Sequence, residues 1–167
     1  MIRLTPVLNL LESHNRWRRR PGKDTEKDLR ESLQAMGHEP ADESPTIIEE
    51  TIERILDNPS HRLAAYGTLR PGESNHHIVS HIEGEWLAGE ATGHVREVAG
   101  YPSFCFQEGG QGIKVAVLIS RDLPRYYPDI DYFEGELYVR ILVPVRLEKG
   151  SGKIVICNIY EGVEKKY

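Results

Sequence analysis

Cysteine, long apolar runs and excess positive charge are all scarce in this chain, and each scarcity excludes something. Two cysteines, Cys105 and Cys157, stand among 167 residues. Both lie in strand-like apolar segments, so reduced, buried thiols are expected and a disulfide framework is not. No apolar run approaches the roughly 20 residues that cross a bilayer, and no apolar segment follows the early arginines as an export signal requires. The expectation is a cytoplasmic protein with no membrane partner. The formal net charge is −5, which leaves no concentrated basic face for nucleic acid. The single basic run is Arg16, Arg18, Arg19 and Arg20. Acidic residues follow soon after, and it reads as a solvated helix end.

What remains is a soluble globular composition, 39% hydrophobic and 28% charged, with length for one domain and an appendage. Residues 1–60 read as a helical N-terminal extension. A first helical pattern carries Val7, Leu8, Leu10, Leu11 and Trp17 and stops at Pro21 and Gly22. In a second, Leu29, Leu33 and Met36 recur at helical spacing and Gly37 sits where a C-terminal cap belongs. A third begins at Ser44 and Pro45, with Thr46 and Glu49 as an alternative capping box, and carries Ile47, Ile48, Ile52, Ile55 and Leu56 on one face. That stripe needs a partner surface: the following domain, the other helices, another protein or a second copy in a homodimer.

Residues 61–167 change texture to short strands with glycine-rich connections. Strands are expected over 63–66, 85–88, 92–98, 104–106, 113–119, 138–147 and 154–160. Glu148 to Gly152 supply a hairpin turn tolerant of positive φ. One or two helical turns interrupt the strands between Asp122, a candidate N-cap, and Phe133, with Pro128 restarting the helix. Leu123, Tyr127, Ile130 and Glu134 then share one face, so a carboxylate ends an apolar stripe. The fold class is α+β: a small mixed β-barrel of about six strands with few helices, since closure hides strand edges.

Two segments could carry chemistry. YGTLRPG, Tyr66 to Gly72, follows a strand directly; Gly67 permits a bend or a close approach, and inward N–H groups in such a bend form an anion-binding nest. Locally, strand, glycine and Pro-Gly turn are also how any strand ends. IDYFEG, Ile130 to Gly135, places Glu134 where partial burial would raise its pKa and let it take and give a proton near neutral pH, or leave it an ordinary surface glutamate. His76, His77 and His81 cluster, but without a fuller ligand motif they read as surface or loop histidines, and no metal is assigned. Cys105 and Cys157 have no basic neighbour in sequence and read as inert packing.

Several motifs in order connect these segments: YGTLRPG with Glu73, Ser74, Asn75 and His76; GYPSF at Gly100 to Phe104; IDYFEG; Tyr138 with Arg140; and Asn158, Ile159, Tyr160. Together they resemble the γ-glutamyl cyclotransferase-like superfamily, most nearly its γ-glutamylamine cyclotransferase and plant avirulence-induced branch, over Arg62 to Gly162. The resemblance implies a barrel with a pocket at one end, in which backbone groups of Tyr66, Gly67, Thr68 and Leu69 hold a small-molecule γ-glutamyl substrate. It maps the family's catalytic glutamate onto Glu134 and a pocket tyrosine onto Tyr138. The implied reaction closes a γ-glutamyl amine or peptide to 5-oxoproline and frees the amine, with Glu134 as general base and then acid and no cofactor. The alternative is a small-ligand-binding or regulatory module of the same fold without turnover.

Overall fold

The computed structural model describes residues 4–40, 42, 44–98 and 100–163. The chain forms two compact units, Met1–Asn58 and Pro59–Tyr167.

In the first unit, α1 (Leu4–Arg19), α2 (Lys23–Ala35) and α3 (Pro45–Ile55) follow the three apolar patterns. Leu10, Leu11, Leu29, Leu33, Ile48 and Ile52 are buried. Gly37 ends α2 as expected: its φ of 82° is left-handed, its N–H donates to Gln34 O (2.9 Å) and the His38 N–H to Leu33 O (3.0 Å), the paired bonds of a Schellman cap. The start of α3 differs from expectation. Ser44 makes no side-chain cap bond; its own N–H donates to Asp42 Oδ1 at 2.7 Å. Glu49 closes no capping box and instead pairs with Arg18 at 3.0 Å. Arg16 reaches Glu12 (3.1 Å) and Asp28 (3.2 Å), so much of the basic run is neutralised where it stands.

The second unit is a closed barrel. β1 (Arg62–Ala65) runs antiparallel to β4 (Gln111–Ile119), which pairs antiparallel with β2 (Glu85–Val98). Residues 89–91 of β2 pair with β5 (Tyr138–Leu147), and β5 pairs antiparallel with β6 (Ile154–Gly162). β6 meets β1 in parallel at Asn158 and Leu63, which closes the ring of five strands. The sixth, β3 (Tyr101–Phe106), pairs with the far half of β2 and touches β6 in parallel at Glu161. A single strand replaces the two expected over 85–88 and 92–98. Gly89 and Gly93 are close approaches within it: a Cβ at Gly89 would lie 2.8 Å from Val145 Cγ1, and one at Gly93 only 2.8 Å from the Phe104 ring.

Helix α4 (Leu123–Glu134) is a continuous three-turn helix rather than one or two turns. Pro128 lies inside it and does not restart it; the cost is one missing bond to the carbonyl a turn earlier, and the buried face outweighs it. Asp122 flanks the helix but makes no side-chain cap bond. Leu123, Tyr127 and Ile130 are buried as the stripe required.

Strand alternation sorts two cores. Ala64, Ile141, Val143, Val145, Cys157 and Ile159 fill the barrel with Phe104 and Val117. Leu63, Ala65 and Tyr160 turn outward and pack with Leu123, Tyr127 and Ile130 of α4. All four β1 residues are therefore buried, because both faces of the strand are covered. The β5–β6 turn has positive φ at Gly150, Ser151 and Gly152, as its composition predicts. Both cysteines are free and buried, and burial pushes the Cys157 thiol up to about 12 despite the opposing charge of Arg62. Among the described residues no helix is long and apolar enough to cross a membrane.

Candidate active site

Beyond β1 the chain leaves the sheet through Gly67, and its loop carbonyls are tied down one after another. The Arg70 N–H (3.2 Å) and Arg70 Nε (3.0 Å) donate to Gly67 O. Asn75 N–H donates to Thr68 O at 3.0 Å, its Nδ2 to Thr68 Oγ1 at 2.9 Å, and His76 Nδ1 bonds Leu69 O at 2.8 Å. A peptide's N–H points opposite its carbonyl, so carbonyls held by one layer turn the next amides the other way. The Leu69 side chain is buried and anchors the loop. Pro71 and Gly72 close the segment with a turn: Glu73 N–H donates to Arg70 O at 3.0 Å, and Gly72 has the positive φ, 85°, that a Pro-Gly turn needs.

Gly67 stands at a bend, as expected, but does not use a conformation that only glycine favours. Its φ is not positive, and a Cβ there would meet nothing within 4 Å. The open space above it is the cavity described next.

The second element is the end of α4. Gly135 stops the helix with a φ of 69°, which leaves Glu134 at the last helical position, half-buried. Burial raises its carboxyl to about 7, and the neighbouring Asp131 adds to the rise. At neutral pH both protonation states are populated.

A cavity of about 60 Å³ joins the two elements. Tyr66, Gly67, Thr68, Leu69, Glu134 and Tyr138 all line it, together with Ala64 and Ala65 of β1, Tyr101 and Pro102 of β3, and Tyr160 of β6. The candidate catalytic glutamate and the five candidate substrate-binding residues therefore share one space, which is small beside the roughly 300–1,000 Å³ of drug-sized pockets. Among the described residues Glu134 is the one ionisable carboxyl in the lining.

The phenols around it are committed to holding the barrel end together. Tyr66 donates its hydroxyl to Tyr160 O at 2.8 Å and its ring lies 5.7 Å from Phe104. Burial pushes its phenol well above the ordinary range, partly offset by the Phe104 backbone, with Tyr138 and Glu134 adding to the rise. Tyr138 donates to Pro102 O at 3.3 Å.

Sequence reasoning missed the polar cluster behind the cavity. Arg140 grips Asp131 with Nε to Oδ1 (3.0 Å) and Nη2 to Oδ2 (3.3 Å), donates Nη1 to Asn158 Oδ1 (3.1 Å) and stacks 3.9 Å over the Tyr127 ring. Tyr160 donates its hydroxyl to the same Asp131 Oδ1 at 2.6 Å. Period-2 alternation carried the signal for Arg140, which shares a strand face with Tyr138; Asp131 sits three residues before Glu134, one helical turn away. Tyr160 and Tyr101 belonged to quoted motifs but had no chemical feature to single them out.

A sequence model of the family described as gamma-glutamyl cyclotransferase, AIG2-like, matches residues 63–166. The chain belongs to this family. No curated protein matches it. Among solved structures, YkqA from Bacillus subtilis is 26% identical with a TM-score of 0.50, over 64% of this chain and 37% of that one. The match thus spans well under half of that relative's length. An AIG2-like protein from mouse is 18% identical with a TM-score of 0.48, over 64% of this chain and 79% of that one. At3g28950.1 from Arabidopsis thaliana is 20% identical with a TM-score of 0.49, over 62% of each. The matched segment contains every described residue that lines the cavity.

The histidines that clustered in sequence do other work. His76 holds the loop and lies edge-on to Trp86 at 5.3 Å, and His81 packs edge-on to Tyr126 at 5.1 Å.

Proposed function

We propose that this protein is a γ-glutamyl cyclotransferase-like enzyme that converts a γ-glutamyl amide to 5-oxoproline and a free amine. The observation that carries the reading is the half-buried Glu134, raised to about 7, at one end of a cavity whose other wall is the Tyr66–Leu69 backbone. Loop amides hold the substrate's carboxylate or γ-carbonyl oxygen and so stabilise the negative charge that develops there.

Glu134 takes a proton from the substrate's α-ammonium. The freed amine attacks the γ-carbonyl carbon, a ring C–N bond forms, and the C–N bond to the leaving amine breaks as Glu134 returns the proton to that nitrogen; the second proton of the ring nitrogen passes through Glu134 to the same amine, which leaves as its ammonium. Atoms and charge balance without water, metal or redox partner. The attack is intramolecular, so holding the chain folded supplies much of the rate, and a carboxyl near the working pH suits both proton transfers.

The test is a panel of γ-glutamyl amines and dipeptides incubated with the protein, with 5-oxoproline read by mass spectrometry. Release from at least one member is expected, and Glu134→Gln should lower it by about 10²–10⁴-fold with the circular-dichroism spectrum intact. Full turnover in that variant sinks the mechanism. Release from no member, with a small carboxylate still protecting the Tyr66 loop from hydrogen exchange, means a binding module instead.

A further inference from the structure

Asp131 and Arg140 have no place in the reaction as written, yet they stand directly behind its carboxylate. Asp131 precedes Glu134 by one turn on the same helix, where side chains three apart are neighbours. Arg140 comes from β5 with a two-pronged grip at 3.0 and 3.3 Å, and Tyr160, a lining residue, adds a 2.6 Å bond from the cavity side. The arrangement is specific. The guanidinium is also fixed by Asn158, whose Nδ2 donates to Pro59 O at 2.9 Å, and by the Tyr127 ring beneath it. A bare aspartate beside Glu134 would hold the site protonated; an aspartate shared with an arginine does so only in part.

We infer that Asp131 and Arg140 act as a balanced charge pair, positioning residues that set the pH at which Glu134 passes its proton. This rests on the cyclotransferase reading for its purpose, though not for its physics. The carboxylate of Asp131 favours the neutral form of Glu134, and Arg140, paired with that carboxylate, opposes it while Tyr160 fixes where the charge sits. The other titratable groups facing Glu134 are phenols: Tyr66 from the loop, Tyr101 from β3, Tyr138 from β5 and Tyr160 from β6. Phenols carry no charge near neutrality, so among the described residues of the cavity and this cluster the pair is the adjustable charge.

Opposite substitutions should therefore move Glu134 in opposite directions. In protein labelled with carboxyl-¹³C glutamate, the Glu134 resonance is identified by its loss in Glu134→Gln and titrated by NMR. Asp131→Asn should lower the midpoint by about half a pH unit or more and Arg140→Gln should raise it by a similar amount; the double variant should return towards wild type. A purely structural role would shift both singles the same way or neither, and either result overturns the inference. Should Arg140→Gln fail to fold, Asp131→Asn decides alone, with Arg140→Lys expected to stay near wild type because the charge remains. The acid limb of 5-oxoproline release should follow the same order. Opposite NMR shifts without turnover on any substrate leave the coupling standing and remove the enzymatic reading; turnover with immobile midpoints does the reverse.

Discussion

The two walls of the cavity are built on different principles. The loop after β1 presents backbone, and its shape is held from behind by Arg70, Asn75 and His76. The end of α4 presents a side chain, and its behaviour is set by burial and by a charge one turn away. Side-chain identity should therefore matter little on the first wall unless it fills space, and a great deal on the second. A backbone site tolerates sequence change; a tuned carboxyl does not.

Substitutions at Glu134, Gly67 and Thr68, taken in order of expected effect, test this contrast. After the loss expected in Glu134→Gln, the next largest effect is on the loop. Gly67→Val inserts atoms where nothing lies within 4 Å of a new Cβ, so stability should hold within about 1 kcal/mol while turnover falls about 10²-fold. A variant that unfolds, or one that turns over normally, would mean the glycine serves the fold and not the cavity.

The carboxyl wall should show its cost in stability. Glu134 is raised in the folded state from 4.5 to about 7, so its contribution is intact below the unfolded pKa and is lost as pH rises through about 7. Glu134→Gln removes that loss. Denaturant midpoints should show the variant gaining about 1–3 kcal/mol on wild type between pH 4.5 and pH 8, after discounting for partial exposure, and little difference at pH 4.5. An equal gap at both pH values would assign the effect to packing instead.

The smallest effect belongs to Thr68→Ala. The exposed hydroxyl accepts from Asn75 at 2.9 Å, so its loss should cost about 0.5–1 kcal/mol and change turnover by only a few-fold. A larger drop in kcat would place the threonine hydroxyl on the substrate and blur the distinction between the walls.

Much of this was legible in one dimension. Apolar spacing located the first three helices, and Gly37 and the Gly150–Gly152 turn take the positive φ their positions demand. The stripe of Leu123, Tyr127 and Ile130 does end at Glu134. Errors came where local signals meet long-range packing. Residues 85–88 and 92–98 read as two strands because the sequence cannot show Val145 and Phe104 pressing on a continuous β2 at Gly89 and Gly93, and Pro128 looked like a restart because its lost bond is local while the buried face that outweighs it is not.

Turn chemistry and periodicity picked out a glycine-bearing loop after a strand and a glutamate closing an apolar helical face, and the family resemblance added Tyr138. That these share one space, and that Arg140 grips Asp131 rather than facing solvent, came only with the packed fold. The reason is physical. Propensity and period act over one or two turns, whereas desolvation of Glu134 and the pairing of Asp131 with Arg140 depend on β5 and β6 closing the barrel beneath α4.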